Sequence, residues 1–120
     1  MTAATRTDPN GFVPMNPRAF AILLVLSENA AHGYRIKQEV EARSHGQILL
    51  DPGSLYRTIA KLVRDDLVEE QDAPAGADRD DARRRYYNLT QLGTEVARAE
   101  TARLASLVKT KPARALLKES

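Results

Sequence analysis

Residues 51–70, DPGSLYRTIAKLVRDDLVEE, constrain the fold more than any other stretch of the chain. Asp51-Pro52 is a helix start, because Asp accepts hydrogen bonds from first-turn N–H groups and proline presets the backbone of that turn. Leu55, Ile59, Leu62 and Val63 recur at i, i+4, i+7 and i+8, the spacing of one buried helical face. Arg57, Lys61 and Arg64 fall off that stripe, with no acid among them. Asp65-Asp66 closes the helix, since Asp tolerates the left-handed conformation better than most residues. A strand is expected over residues 67–70. After the turn-rich loop DAPAGADRDDA (72–82), RRRYYNLTQLG (83–93) opens on three arginines, returns as a strand over 84–89 and ends at Thr90, a helix cap. Helix, strand, basic loop, strand, helix is the layout of a winged helix-turn-helix. The expected class is mostly α with a small β-hairpin.

The flanking segments fit around that unit. Residues 1–15 are rich in small and turn-forming residues and are expected to form a flexible arm, in which Phe12, Val13 and Met15 are placed to dock on a partner. Asn16-Pro17 starts a first helix. Its run over 19–26 is apolar on nearly every side, so a second subunit is the simplest cover for the face its own domain does not bury. Residues 29–33 are expected to turn. A second helix over 34–44 follows, with Glu39 and Arg43 spaced for an i,i+4 pair, and His45-Gly46 stops it. Residues 47–50 are extended, a candidate third strand. The helix capped by Thr90 runs to about Val108. Its apolar positions are thin and separated by alanines, which suits packing against another helix. Pro112 breaks it. Residues 113–120 either make a last turn through Leu116 and Leu117 or stay disordered.

Composition narrows the function. The chain has 120 residues and no cysteine, which removes disulfides, thiolate metal sites and a cysteine nucleophile and fits a cytoplasmic chain. The longest apolar run is far short of the ~18 residues of a membrane span, and no basic start with an apolar core marks a signal peptide. Net charge is only +2, but it is unevenly spread. Residues 32–64 hold six basic and three acidic side chains, and residues 65–82 hold eight acids and one arginine. A nearly neutral chain of this kind still presents a basic face. An enzyme would need His32 and His45 as acid and base. Each precedes a glycine at a turn or helix end, where a capping role accounts for it. No nucleophile–base order, phosphate-cradling glycine loop or metal spacing emerges.

Nucleic-acid binding accounts for more of the pattern. A helix that enters the major groove needs donors on one face and firm packing on the other. Arginine and lysine pair with guanine edges, while serine and tyrosine contact bases or phosphates. The arginines at 83–85 sit at the base of the hairpin loop, where they track phosphates or enter a minor groove. Strand alternation keeps all three from facing DNA at once. Among the tyrosines, Tyr34 and Tyr87 are expected to pack in the core, and Tyr56 to face DNA.

Four stretches, LLVLSENAAHGYRIKQEVEARS (23–44), DPGSLYRTIAKLVRDDLVE (51–69), RRRYYNLTQLG (83–93) and the closing helix, resemble the PadR family of bacterial transcriptional regulators. The resemblance covers most of residues 17–108, and the combination HGY, PGSLYR and RRYYNLT is specific. It implies a winged-helix domain with a C-terminal dimerisation helix, of the compact branch. It also implies a homodimer on an inverted-repeat operator, usually repressing, and in many members a response to small aromatic or hydrophobic compounds. By position, Ser54, Tyr56, Arg57 and Lys61 fall on the DNA-reading helix, and Arg84 and Arg85 at the wing. Two departures stand out. Asp66 occupies a position where glycine is usual. The terminal helix has no tryptophan, which speaks against the flat-ligand pocket some relatives build from tryptophans at the dimer centre.

The expected organisation is therefore an arm (1–15), a winged-helix DNA-binding domain (16–90), a dimerisation helix (91–110) and a tail (111–120). DNA contact is expected from Ser54, Tyr56, Arg57, Lys61, Arg64, Arg84 and Arg85. The dimer interface is expected from Phe20, Leu24, Val96, Leu104, Leu107 and Val108. Expected partners are double-stranded DNA, a second copy and a small hydrophobic or aromatic effector, with no catalytic residue, cofactor, metal or membrane. Two rivals stay open: a winged helix that binds proteins and not DNA, favoured by the acidic 65–82 segment, and a MarR-like regulator, disfavoured by the short lead into the first helix.

Overall fold

The computed structural model describes residues 8–118. It contains a 3-10 turn at Pro9–Phe12, then α1 (Pro17–Glu28), β1 (Ala31–His32), α2 (Gly33–Arg43), α3 (Pro52–Arg64), β2 (Val68–Gln71), α4 (Arg79–Ala82), β3 (Tyr86–Leu89), α5 (Gln91–Val108) and α6 (Lys111–Lys118). This is a winged helix-turn-helix, mostly α with a small antiparallel sheet. The helix starts follow from their caps. Asn16, Asp51 and Thr90 each accept first-turn N–H groups, and Pro17 and Pro52 open α1 and α3. Asp66 takes φ 63° to turn α3 into β2, as its position required, and Gly46 takes φ 78° after α2.

The sheet departs from a simple hairpin. Its strand order is β1-β3-β2, with Ala31 opposite Tyr87 and Val68 opposite Leu89. The third strand thus comes from the expected turn at 29–33, while residues 47–50 form no strand. Two residues suffice because β3 offers its second edge to them. The loop at 72–82 also carries one helical turn, α4, capped by Asp78.

The core joins Ile22, Leu23, Val25 and Leu26 of α1 to Ile36 and Val40 of α2 and to Leu55, Ile59 and Leu62 of α3. Leu50, Leu67, Val68, Tyr87 and Val96 complete it. Leu24 of α1 remains exposed, so α1 buries only part of its apolar surface within the chain. The expected flexible arm is corrected over its described part. Phe12 and Met15 pack against the core, and the Met15 N–H donates to the Glu100 carboxylate at 3.1 Å. Glu100 is 2% exposed, and Arg103 satisfies both of its oxygens at 2.7 and 2.8 Å. That bidentate pair, the first cause, and the Met15 N–H hold the Glu100 carboxyl below its ordinary range against the cost of burial. Residues 1–7 of the arm lie outside the described residues. In the expected tail, Pro112 ends one helix and suits the first turn of the next, so residues 111–118 are helical and not disordered; residues 119–120 lie outside the described residues.

Candidate nucleic-acid interface

Helix α3 presents the cationic stripe. Asp51 accepts from the Ser54 N–H at 2.9 Å and the Ser54 hydroxyl at 3.1 Å, and these bonds hold its carboxyl below the usual carboxylate range. The inward face is anchored by Leu55, Ile59 and Leu62, all buried. Opposite it, Arg57, Lys61 and Arg64 are exposed, with the small Ala60 between them. Spacings of three and four residues keep these cations on one side of the helix. Lys61 pairs with Asp65 at 3.0 Å, an exposed i,i+4 contact worth only about 0.3–0.5 kcal/mol. Ser54 is less available than its position suggested. It is half-buried, tied to Asp51, and 3.5 Å from Arg57 Nη2.

Tyr56 lies about 100° around the helix from Arg57. It is 51% exposed and reaches towards the start of α2, where its ring lies over Gly33. Tyr34 is the correction among the aromatics: expected in the core, it is 54% exposed. The guanidinium of Arg84 lies 5.5 Å from its ring centroid, a cation–π contact. Tyr87 is buried in the core. Sequence reasoning placed HGY within the family resemblance but gave Tyr34 no surface role.

The wing base brings Arg84 and Arg85 beside α2 and α3. Arg85 Nε is 3.0 Å from Glu70, and Arg84 Nε is 3.9 Å from Asp81. Both cations therefore have an acidic neighbour, which the sequence alone did not indicate. His32 links this region to α2. Its Nδ1 accepts the Arg35 N–H at 3.1 Å, which leaves the proton of the neutral ring on Nε2, 3.5 Å from Asp81. Arg84 Nη1 lies 3.3 Å from Nδ1, and Tyr86 meets the ring edge-on with centroids 5.3 Å apart. Burial, and then the Arg84 charge, lower the pKa of His32. Its role is to cap the start of α2, which was expected to begin at Tyr34 and begins at Gly33.

The expected dimer residues divide. Val96 is corrected: at 0% exposure it lies in the chain's own core and offers a partner nothing. Phe20, Leu24 and Leu104 instead line an apolar groove of about 380 Å³ between α1, α2 and α5, and Leu107 and Val108 are exposed on α5. Among the described residues, no group of three or more His, Cys, Asp or Glu side chains is placed to hold a metal ion, and no helix is long and apolar enough to cross a membrane.

The model of the transcriptional regulator PadR-like family matches residues 22–99. Among solved structures, RosR of H. salinarum is 27% identical, with a TM-score of 0.62 and 90% of this chain and 91% of that one covered. A PadR family transcription regulator from Clostridium difficile R20291 is 20% identical, with a TM-score of 0.66 and 78% and 93% covered. A PadR-like transcription factor from "bacteroid fragilis" is 24% identical, with a TM-score of 0.60 and 74% and 81% covered. No curated protein matches the chain.

Proposed function

This chain belongs to the PadR-like family of transcriptional regulators, and from that premise we propose that it binds duplex DNA as a homodimer, reads an inverted-repeat operator and represses the adjacent genes. The observation that carries this reading is the exposed stripe of Arg57, Lys61 and Arg64, on a helix whose opposite face is locked into the core by Leu55, Ile59 and Leu62. A rigid helix with cations on its free face has the means to enter a major groove and meet guanine edges. The apolar groove at Phe20, Leu24 and Leu104 supports the dimer, since a second copy would cover it. Two copies would then set their reading helices about one DNA turn apart.

The test is selection of bound duplexes from a random pool at near-physiological salt, followed by the salt dependence of affinity for the winner. An enriched inverted repeat, with log affinity falling by about 0.9 per log unit of salt for each phosphate contact, is the expected result. The pairing of Arg85 with Glu70 favours a second reading, a protein-binding winged helix whose wing cations are neutralised. Folded protein that enriches no sequence and shows no salt-dependent affinity would favour that reading.

A further inference from the structure

We infer that Tyr34, Tyr56, Arg84 and Arg85 form a seat for one phosphodiester group of the DNA backbone, at the junction of reading helix and wing. The inference rests on the DNA-binding reading above and assigns a role to the HGY motif. Three elements converge here: the start of α2 brings Tyr34, α3 brings Tyr56, and the entry to β3 brings the two arginines. They line a notch of about 200 Å³ floored by Tyr87.

The exposure of the tyrosines singles the notch out. Tyr34 and Tyr56 are 54% and 51% exposed, whereas Tyr86 and Tyr87 are buried. Half-exposed aromatics with hydroxyl donors, beside two guanidinium groups, supply what phosphate oxygens accept. The backbone makes room for this arrangement. A Cβ on Gly33 would stand 2.5 Å from the Tyr56 hydroxyl oxygen, so glycine is what lets Tyr56 lie across the start of α2. Arg84 lies 5.5 Å from the Tyr34 ring centroid in a cation–π contact, with its Nη1 3.3 Å from His32 Nδ1.

Direction separates this seat from base reading. With the Arg57 stripe aimed at the groove floor, Tyr56 points about 100° aside, towards the groove wall where the backbone runs. The acids nearby do not block it. The Arg85–Glu70 pair is largely solvent-exposed and the Arg84–Asp81 contact is long at 3.9 Å, and such exposed pairs contribute little and yield to a better anion.

The seat is tested by comparing wild-type protein with Arg84→Ala and Tyr34→Phe on an enriched duplex and a scrambled one, across a salt series. Arg84→Ala should weaken both duplexes alike and make the salt slope shallower by about 0.9 for each seat. Tyr34→Phe should weaken both between about twofold and tenfold without changing the slope, because a hydroxyl displaces no counterion. Arg84→Lys should restore the slope, which a merely structural role of Arg84 does not predict. An unchanged slope in Arg84→Ala, with wild-type binding intact, overturns the seat and leaves the DNA reading standing. A loss confined to the enriched duplex makes the contact a base contact and also overturns it. Wild-type protein without salt-dependent binding removes both readings together.

Discussion

Gly93 packs against Leu67 so closely that a Cβ on Gly93 would collide with the Leu67 carbonyl oxygen and stand 2.9 Å from its carbonyl carbon. The same carbonyl accepts the Thr90 N–H at 3.1 Å, and the Thr90 hydroxyl donates to the Asp66 carbonyl while accepting the Gly93 N–H at 2.9 Å. One corner therefore ties the exit of α3, the start of α5 and the end of the wing. Gly93→Ala should destabilise the protein by at least about 2 kcal/mol, the scale of overpacking against atoms that cannot move aside. Thermal unfolding reads this as a drop in Tm, and a melt superimposable on wild type would show that the corner relaxes freely.

Arg57→Ala and Lys61→Ala should each weaken binding to the enriched duplex by about 1–3 kcal/mol if they pair with guanine edges. Both side chains lie off the packed face, so Tm should stay at its wild-type value. Fluorescence anisotropy measures the affinities. Unchanged affinity in both variants would take the stripe out of the interface.

On the proposed homodimer, the pair Leu104→Asp and Leu107→Asp should give monomers and abolish tight operator binding. Leu104 lines the apolar groove and Leu107 is 53% exposed, so neither substitution strips the chain's own core of a fully buried residue. In the proposed dimer two carboxylates would instead be buried unpaired against a second copy, which is costly. Sedimentation decides it: a persisting dimer would place the interface elsewhere.

Acid should weaken the fold in two stages. The His32 pKa is lowered from its ordinary 6.5, so the unfolded chain takes up the proton first. Stability from that source is complete above about pH 6.5 and declines as pH falls below it. Glu100 is lowered from its ordinary 4.5, so its contribution is present above that value and is lost as pH falls through the lower, folded-state value. His32→Asn keeps a capping side chain for α2 and should remove the first stage only, while Glu100→Gln should diminish the second. Urea midpoints between pH 7.5 and pH 3 follow both stages. An unaltered upper stage in His32→Asn would sink the assignment to His32.

Much of this was legible without coordinates, because it is local. The caps Asn16, Asp51 and Thr90, the stripe of Leu55, Ile59 and Leu62, and the turn at Asp66 each depend on residues within one or two helical turns. What was misread depends on distant partners. Ala31 and His32 carry no strand periodicity and become a strand only because Tyr86 and Tyr87 lie alongside. Phe12 and Met15 sit in a segment of turn-like composition, yet the carboxylate that binds Met15 is 85 residues away. Val96 and Leu104 are alike as apolar positions on one helix, but one faces the chain's own core and the other an open groove.

The amino-acid sequence by itself determined the succession of α1, α2, α3, β2, β3 and α5, the caps Asn16, Asp51 and Thr90, and the cationic face of α3, since these follow from backbone propensity and the 3.6-residue period. Only the tertiary structure decided which apolar face is spent inside the chain, which tyrosines stay in solvent, and which acids neighbour the wing arginines. Those outcomes depend on through-space distances between segments far apart in the chain, and no local periodicity encodes them.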